Sequence, residues 1–117
     1  QNVEFIVRIY ENGTALNKLE DSSMYSRVIK SSYLKAKWHP TQKPMEIFTR
    51  LIKLSSKEGD VVIDPFLGSG TTAIAAKRLG RKYIGIENNE KFFKIAEERI
   101  SKEAEKQTLD STQEYNL

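Results

Sequence analysis

Asp64, Gly68, Gly70 and Glu87 are the residues of this 117-residue chain whose types and spacing could do chemistry. They belong to one continuous pattern. The stretch Asp64-Pro65-Phe66-Leu67-Gly68-Ser69-Gly70-Thr71-Thr72 follows the apolar run Val61-Val62-Ile63 and precedes an Ala-rich run from Ala73 to Leu79. That order predicts a strand, a glycine loop and a helix. Gly68 and Gly70 lack a Cβ, so a small ligand can approach the backbone there. The helix that follows points its free N–H groups and positive dipole end back at the loop. A second strand-like run, Lys82-Tyr83-Ile84-Gly85-Ile86, ends in Glu87, 19 residues after Gly68. An acid at the end of a second strand, about 20 residues past the first glycines, suits a pair of ribose hydroxyls. The expected unit is a βαβ that binds an adenosine-containing cofactor.

The residues before the glycines narrow the cofactor. Gly68-Ser69-Gly70-Thr71-Thr72-Ala73 fits the dinucleotide pattern G-x-G-x-x-G/A, which is weak by itself. In a dinucleotide fold the strand usually runs straight into the first glycine, whereas Asp64, Pro65, Phe66 and Leu67 intervene here. The Asp64 carboxylate would repel a pyrophosphate but suits a cationic ligand, such as the amino group of a methionine moiety. A Walker A loop is disfavoured because no Lys follows Gly70 to meet the phosphates. The competing reading is a connection that merely needs flexible glycines.

Other elements must hold this loop in place. Pro44 sits where a helix can begin. Ile47, Phe48, Leu51, Ile52 and Leu54 then form a broad apolar face, with Glu46, Arg50 and Lys53 opposite. Residues 55–60 lead into the Val61–Ile63 strand. The helix from Thr71 stops at Gly80 with Lys77 and Arg78 in its last turn, and its alanines permit close packing on a sheet. Glu90 opens a third helix with Phe92, Phe93, Ala96 and Ile100 as the buried face. Beyond about Ser101 the apolar period fades, and residues 106–117 are expected to fray. Near the start, Val3, Phe5, Val7 and Ile9 alternate with polar positions as in a strand, and Glu11-Asn12-Gly13 reads as a turn.

Composition bounds the rest. The length allows at most one modest domain. The chain contains no Cys and a single His, so disulfides and thiolate metal sites are excluded and no metal site is expected. No apolar run approaches transmembrane length and no signal-peptide pattern opens the chain. It begins at Gln1 rather than Met, which predicts a fragment or a processed product. Charge is uneven: residues 1–57 carry ten Lys/Arg against five Asp/Glu, and residues 58–117 carry nine against eleven. A basic first half is compatible with a phosphate backbone nearby, and equally with a solvated surface. Arg27, Lys30, Lys35 and Lys37, interleaved with Tyr33 and Trp38, can grip phosphates and stack on bases, or can form an ordinary loop whose aromatics tuck into the core.

Two motifs carry a family resemblance. The stretch Asp64 to Thr72 resembles the cofactor loop of amino-group DNA methyltransferases, which use S-adenosylmethionine. Upstream, His39-Pro40-Thr41-Gln42-Lys43-Pro44 resembles a second signature of the same family. Its place before the glycine loop is similar to the circularly permuted branch, in which the catalytic half comes first. The resemblance covers roughly residues 38–100. It implies an α/β, doubly wound, Rossmann-like fold that is incomplete in this chain. Residues 1–38 would continue from an upstream catalytic half, 39–105 would form the cofactor-binding βαβ region, and 106–117 a disordered tail. Thr41 and Lys43 would meet the cofactor's carboxylate; Asp64, Phe66, Gly68, Ser69, Gly70 and Thr71 would cradle its methionine and adenosine. Glu87 would accept both ribose hydroxyls and Asn88 would touch the adenine edge. Lys43 at a helix start opposes the dipole slightly, which favours a functional role for it. His39 is expected to cap or pack rather than to catalyse. The implied partners are double-stranded DNA and the missing catalytic half, in a bacterial or phage cytoplasm, in a restriction-modification setting.

One family motif is missing. The tetrapeptide (Asp/Asn/Ser)-Pro-Pro-aromatic, which holds and stacks on the flipped base in these enzymes, does not occur here. Asp64-Pro65-Phe66 is a near match without its second Pro. No catalytic residue is therefore expected in this chain, and adenine N6 and cytosine N4 both remain open as targets, with adenine favoured. The strand at 61–64 is also expected to expose an unpaired edge. Two other readings stay open: a non-catalytic cofactor- or DNA-binding module serving a separate catalytic chain, and a piece of an NAD-dependent oxidoreductase.

Overall fold

The structure, a computed structural model, describes residues 15–18, 22–25 and 43–114. The strand expected at Val3–Tyr10, the turn after it, the basic run to Trp38 and the His39–Gln42 part of the upstream motif, Thr41 included, lie outside the described residues.

Helix α1 spans Met45–Ser55, with Pro44 extended at its N-terminus. Proline suits that place because its φ is preset and an N–H there would have no intrahelical partner. The apolar positions of α1 repeat at helical spacing, and Ile52 and Leu54 are buried. Its last carbonyls are taken up from outside: the Asn17 side-chain amide donates to the Lys53 oxygen at 2.8 Å and to the Ser56 oxygen at 2.5 Å.

Strand β1 is Val61–Asp64, helix α2 is Thr71–Arg78 and strand β2 is Lys82–Gly85. The strands are parallel neighbours, with Val61 opposite Lys82 and Asp64 opposite Gly85. The βαβ unit expected from the sequence is therefore present. Helix α2 reaches both strands through alanines. Ala75 and Ala76 pack with Ile52, joined by Met45, Phe48, Val62 and Leu79. Ala73 packs with Leu67 and Ala96, joined by Ile100. Side chains of one carbon let the helices approach one another and the sheet closely. Gly80 ends α2 with φ of 71°, where the Arg81 N–H turns back to the Ala76 oxygen at 2.8 Å.

All of this packing lies on one face of the sheet. The other face presents Val61, Ile63, Ile84 and Ile86 to solvent, Ile63 at 63% exposure. A parallel sheet normally buries both faces. Among the described residues β1 and β2 pair only with each other, and an exposed apolar face accompanies them.

Helix α3 runs Glu90–Glu114. Two expectations are corrected here. Phe93, placed on the buried face, is 39% exposed, while Ala96 carries the close contact. The helix also continues through Glu114, into the stretch expected to fray. Residues 102–107 are strong helix formers, and Lys102 pairs with Glu98 one turn earlier at 2.6 Å. Helical continuation needs no apolar stripe when propensity and turn-to-turn ion pairs agree.

Candidate functional site

The glycine loop is fixed at four points. At its start the Asp64 carboxylate accepts the Phe66 N–H at 2.9 Å and the Thr72 hydroxyl at 2.5 Å, closing the turn onto the first turn of α2. Next, the Leu67 N–H donates to the Ile86 oxygen at 2.9 Å. The Leu67 side chain is buried over Gly85, where an added Cβ would stand 2.6 Å from its Cδ2. A side chain at position 85 would have to displace Leu67, a close approach that the sequence reading did not find. Third, the Gly68 N–H donates to Glu87 Oε2 at 2.8 Å. Fourth, Arg99 of α3 donates from Nη1 to the Ser69 carbonyl oxygen at 2.5 Å and to its Oγ at 2.9 Å.

These anchors sort the expected site residues into a rim and a support. Phe66 is 87% exposed, Asp64, Gly68 and Glu87 are partly exposed, and Asn88 is exposed. Gly68 has φ of 58° and Gly70 has φ of 89°, conformations that glycine adopts at no steric cost. Ser69, Gly70 and Thr71 are buried behind the rim. A Cβ on Gly70 would meet the Ala96 Cβ at 3.1 Å, so this glycine also serves the packing of α2 on α3. Helix α2 starts at Gly70 without a side-chain cap, which leaves its first N–H groups for another acceptor. Lys43 is half-buried just before α1.

Glu87 joins both halves of the pattern. Oε2 takes the Gly68 N–H, and Oε1 takes the Asn89 N–H at 2.9 Å, which turns the chain into α3. The acid and the glycine predicted to share one ligand are in direct contact.

The neighbouring charges brace the helices. Arg78 and Glu103 pair through two parallel bonds, 2.6 and 2.8 Å long. The hydrogen bond from Arg78 holds the Glu103 carboxyl below the usual carboxylate value, and the same bond raises Arg78. Burial, and after it the charge of Arg78, pushes the Arg99 guanidinium below its ordinary value. Among the described residues no cluster of metal-ligating side chains occurs and no helix is long and apolar enough to cross a membrane.

The profile of the DNA methylase family, N6_N4_Mtase, matches residues 7–98. The chain belongs to that family. It is 45% identical over 102 residues to the type II methyltransferase M2.LlaDCHI of Lactococcus lactis subsp. cremoris, covering 83% of this chain and 38% of the relative. It is 45% identical over 103 residues to the type II methyltransferase M2.DpnII of Streptococcus pneumoniae, covering 84% of this chain and 38% of the relative. The crystal structure of the M1.HpyAVI–SAM complex superposes with a TM-score of 0.63 at 39% identity, over 74% of this chain and 43% of that one. The chain thus spans less than half the length of the methyltransferases it matches. The α/β architecture is part of a Rossmann-like fold, incomplete in this chain.

Proposed function

We propose that this chain is the S-adenosylmethionine-binding portion of a DNA methyltransferase that methylates the exocyclic amine of adenine (N6) or cytosine (N4), with adenine favoured. The observation that carries this reading is the Glu87 carboxylate on the Gly68 N–H, at the mouth of an uncapped helix. The cofactor fits what is present. A carboxylate accepts hydrogen bonds, so Glu87 suits the ribose hydroxyls. Gly68 leaves the backbone open to close approach, and Phe66 offers an exposed ring to an apolar or π surface. The Asp64 carboxylate suits the methionine ammonium, and Asn88 lies beside Glu87 for the adenine edge. Ser69, Gly70 and Thr71 keep the rim in shape from behind. Lys43, with Thr41 upstream, suits the methionine carboxylate.

When bound, the cofactor supplies a sulfonium methyl for transfer to an amine nitrogen. This chain's residues bind and orient that group; holding the flipped base falls to the Pro-Pro-aromatic motif, which this sequence does not contain. On this reading the chain supplies one wall of the site, a catalytic half supplies the other, and double-stranded DNA is the substrate. On this reading the chain alone is inactive.

Calorimetric titration of S-adenosylmethionine into the full-length protein, with NAD as control, tests the reading. Saturable binding of the first and not the second is the expected result. Preference for NAD would replace it with the oxidoreductase reading.

A further inference from the structure

Gly68, Ser69 and Gly70 are the part of the loop with least conformational preference of its own, since two of the three residues are glycines at positive φ. Such a segment keeps one shape only if contacts from elsewhere impose it. Glu87 imposes one by accepting the Gly68 N–H. The other comes from α3. Ser69 is 4% exposed, and its carbonyl and hydroxyl both accept from the same guanidinium nitrogen, 30 residues further along the chain. A buried carbonyl must be satisfied, and a charged donor satisfies it more strongly than a neutral one.

We propose that Arg99 is a positioning residue for the cofactor loop: through Ser69 it holds the Gly68 backbone in the shape that binds S-adenosylmethionine. This rests on the cofactor reading above. Burial and the nearby Arg78 both disfavour a cation at this place. What Arg99 holds accounts for an arginine at this place. Ser69 is directly bonded to Gly68, so a shift of the Ser69 carbonyl moves the rim without touching the ligand. Displacements of that size are costly, because about 1 Å of misplacement far from the reacting atoms can cost about 100-fold.

The test uses the full-length protein with Arg99→Met and Arg99→Lys beside the wild type. Cofactor affinity is read by calorimetry, KM for the cofactor and kcat by methyl transfer, and folding by thermal unfolding. Arg99→Met is expected to raise Kd and KM about tenfold or more, with kcat at saturating cofactor within about twofold. Arg99→Lys, which keeps the charge and its donors, should recover part of the loss. A lowered unfolding temperature with unchanged Kd would make Arg99 a merely structural brace and overturn the proposal. Should Arg99→Met not fold, Arg99→Lys decides: a raised Kd at an unchanged unfolding temperature supports the proposal, and an unchanged Kd overturns it. A wild type that does not bind the cofactor defeats the underlying reading as well. A wild type and an Arg99→Met variant that bind equally defeat only the role of Arg99.

Discussion

The Glu87 carboxylate accepts the Gly68 N–H at 2.8 Å, across 19 residues of chain. One side chain therefore shapes the glycine loop and, on the proposed reading, binds the ribose. Hydrogen bonds to a charged group are worth roughly 1.5–3 kcal/mol. Glu87→Ala should weaken S-adenosylmethionine binding by about 10- to 100-fold in a calorimetric titration. Unchanged affinity would remove Glu87 from the site.

Gly70 combines a left-handed backbone with a close neighbour. Its φ is 89° and an added Cβ would stand 3.1 Å from that of Ala96 and 3.2 Å from its Cα. Both neighbours belong to a packed helix and have little room to yield. Gly70→Ala should cost about 1–3 kcal/mol in denaturant unfolding, through strain and overpacking together. A cost near zero would show that α3 can move away from α2.

The Arg78–Glu103 pair makes stability depend on acidity. The hydrogen bond from Arg78 lowers the folded-state value of Glu103 below its ordinary 4.5. A depressed carboxylate contributes stability above its unfolded value and loses it as the pH falls through the folded one. Unfolding midpoints measured downward from pH 5 should therefore fall less steeply in Glu103→Gln than in the wild type. Arg78 is half exposed, so the contribution at neutral pH is small, about 0.2–1 kcal/mol. Parallel curves would show that the pair contributes nothing measurable.

The bare sheet face should behave as an unfinished interface. Val61, Ile63, Ile84 and Ile86 form one apolar patch on a two-stranded sheet. Replacing Ile63 and Ile84 by Thr keeps strand preference but removes apolar area. The isolated chain should then aggregate less, in light scattering at fixed concentration, while the full-length protein should lose stability. A full-length protein indifferent to the change would mean that nothing covers this face.

The sequence alone determined the βαβ unit and the placement of its glycines and acid. Strand, loop and helix are written in local periodicity, and the glycines and Glu87 sit at a spacing that only a βαβ brings together. Their contact could be anticipated because a strand and a helix have fixed rises per residue. The tertiary structure decided which loop residues face outward. Gly70 differs from Gly68 not in type but in what α3 covers, and no local pattern records that. Arg99 was missed for the same reason, since an arginine on a charged helix looks like a solvated one until Ser69 is found against it. Gly85 looked like an ordinary strand glycine until Leu67 filled the space above it. The long α3 was hidden by reading helices through apolar stripes, whereas its later turns rest on helix propensity and pairs such as Glu98 with Lys102. The bare face became visible only when α1, α2 and α3 were found on the opposite side of the sheet, because alternation along a strand says which residues share a face and not which face is covered.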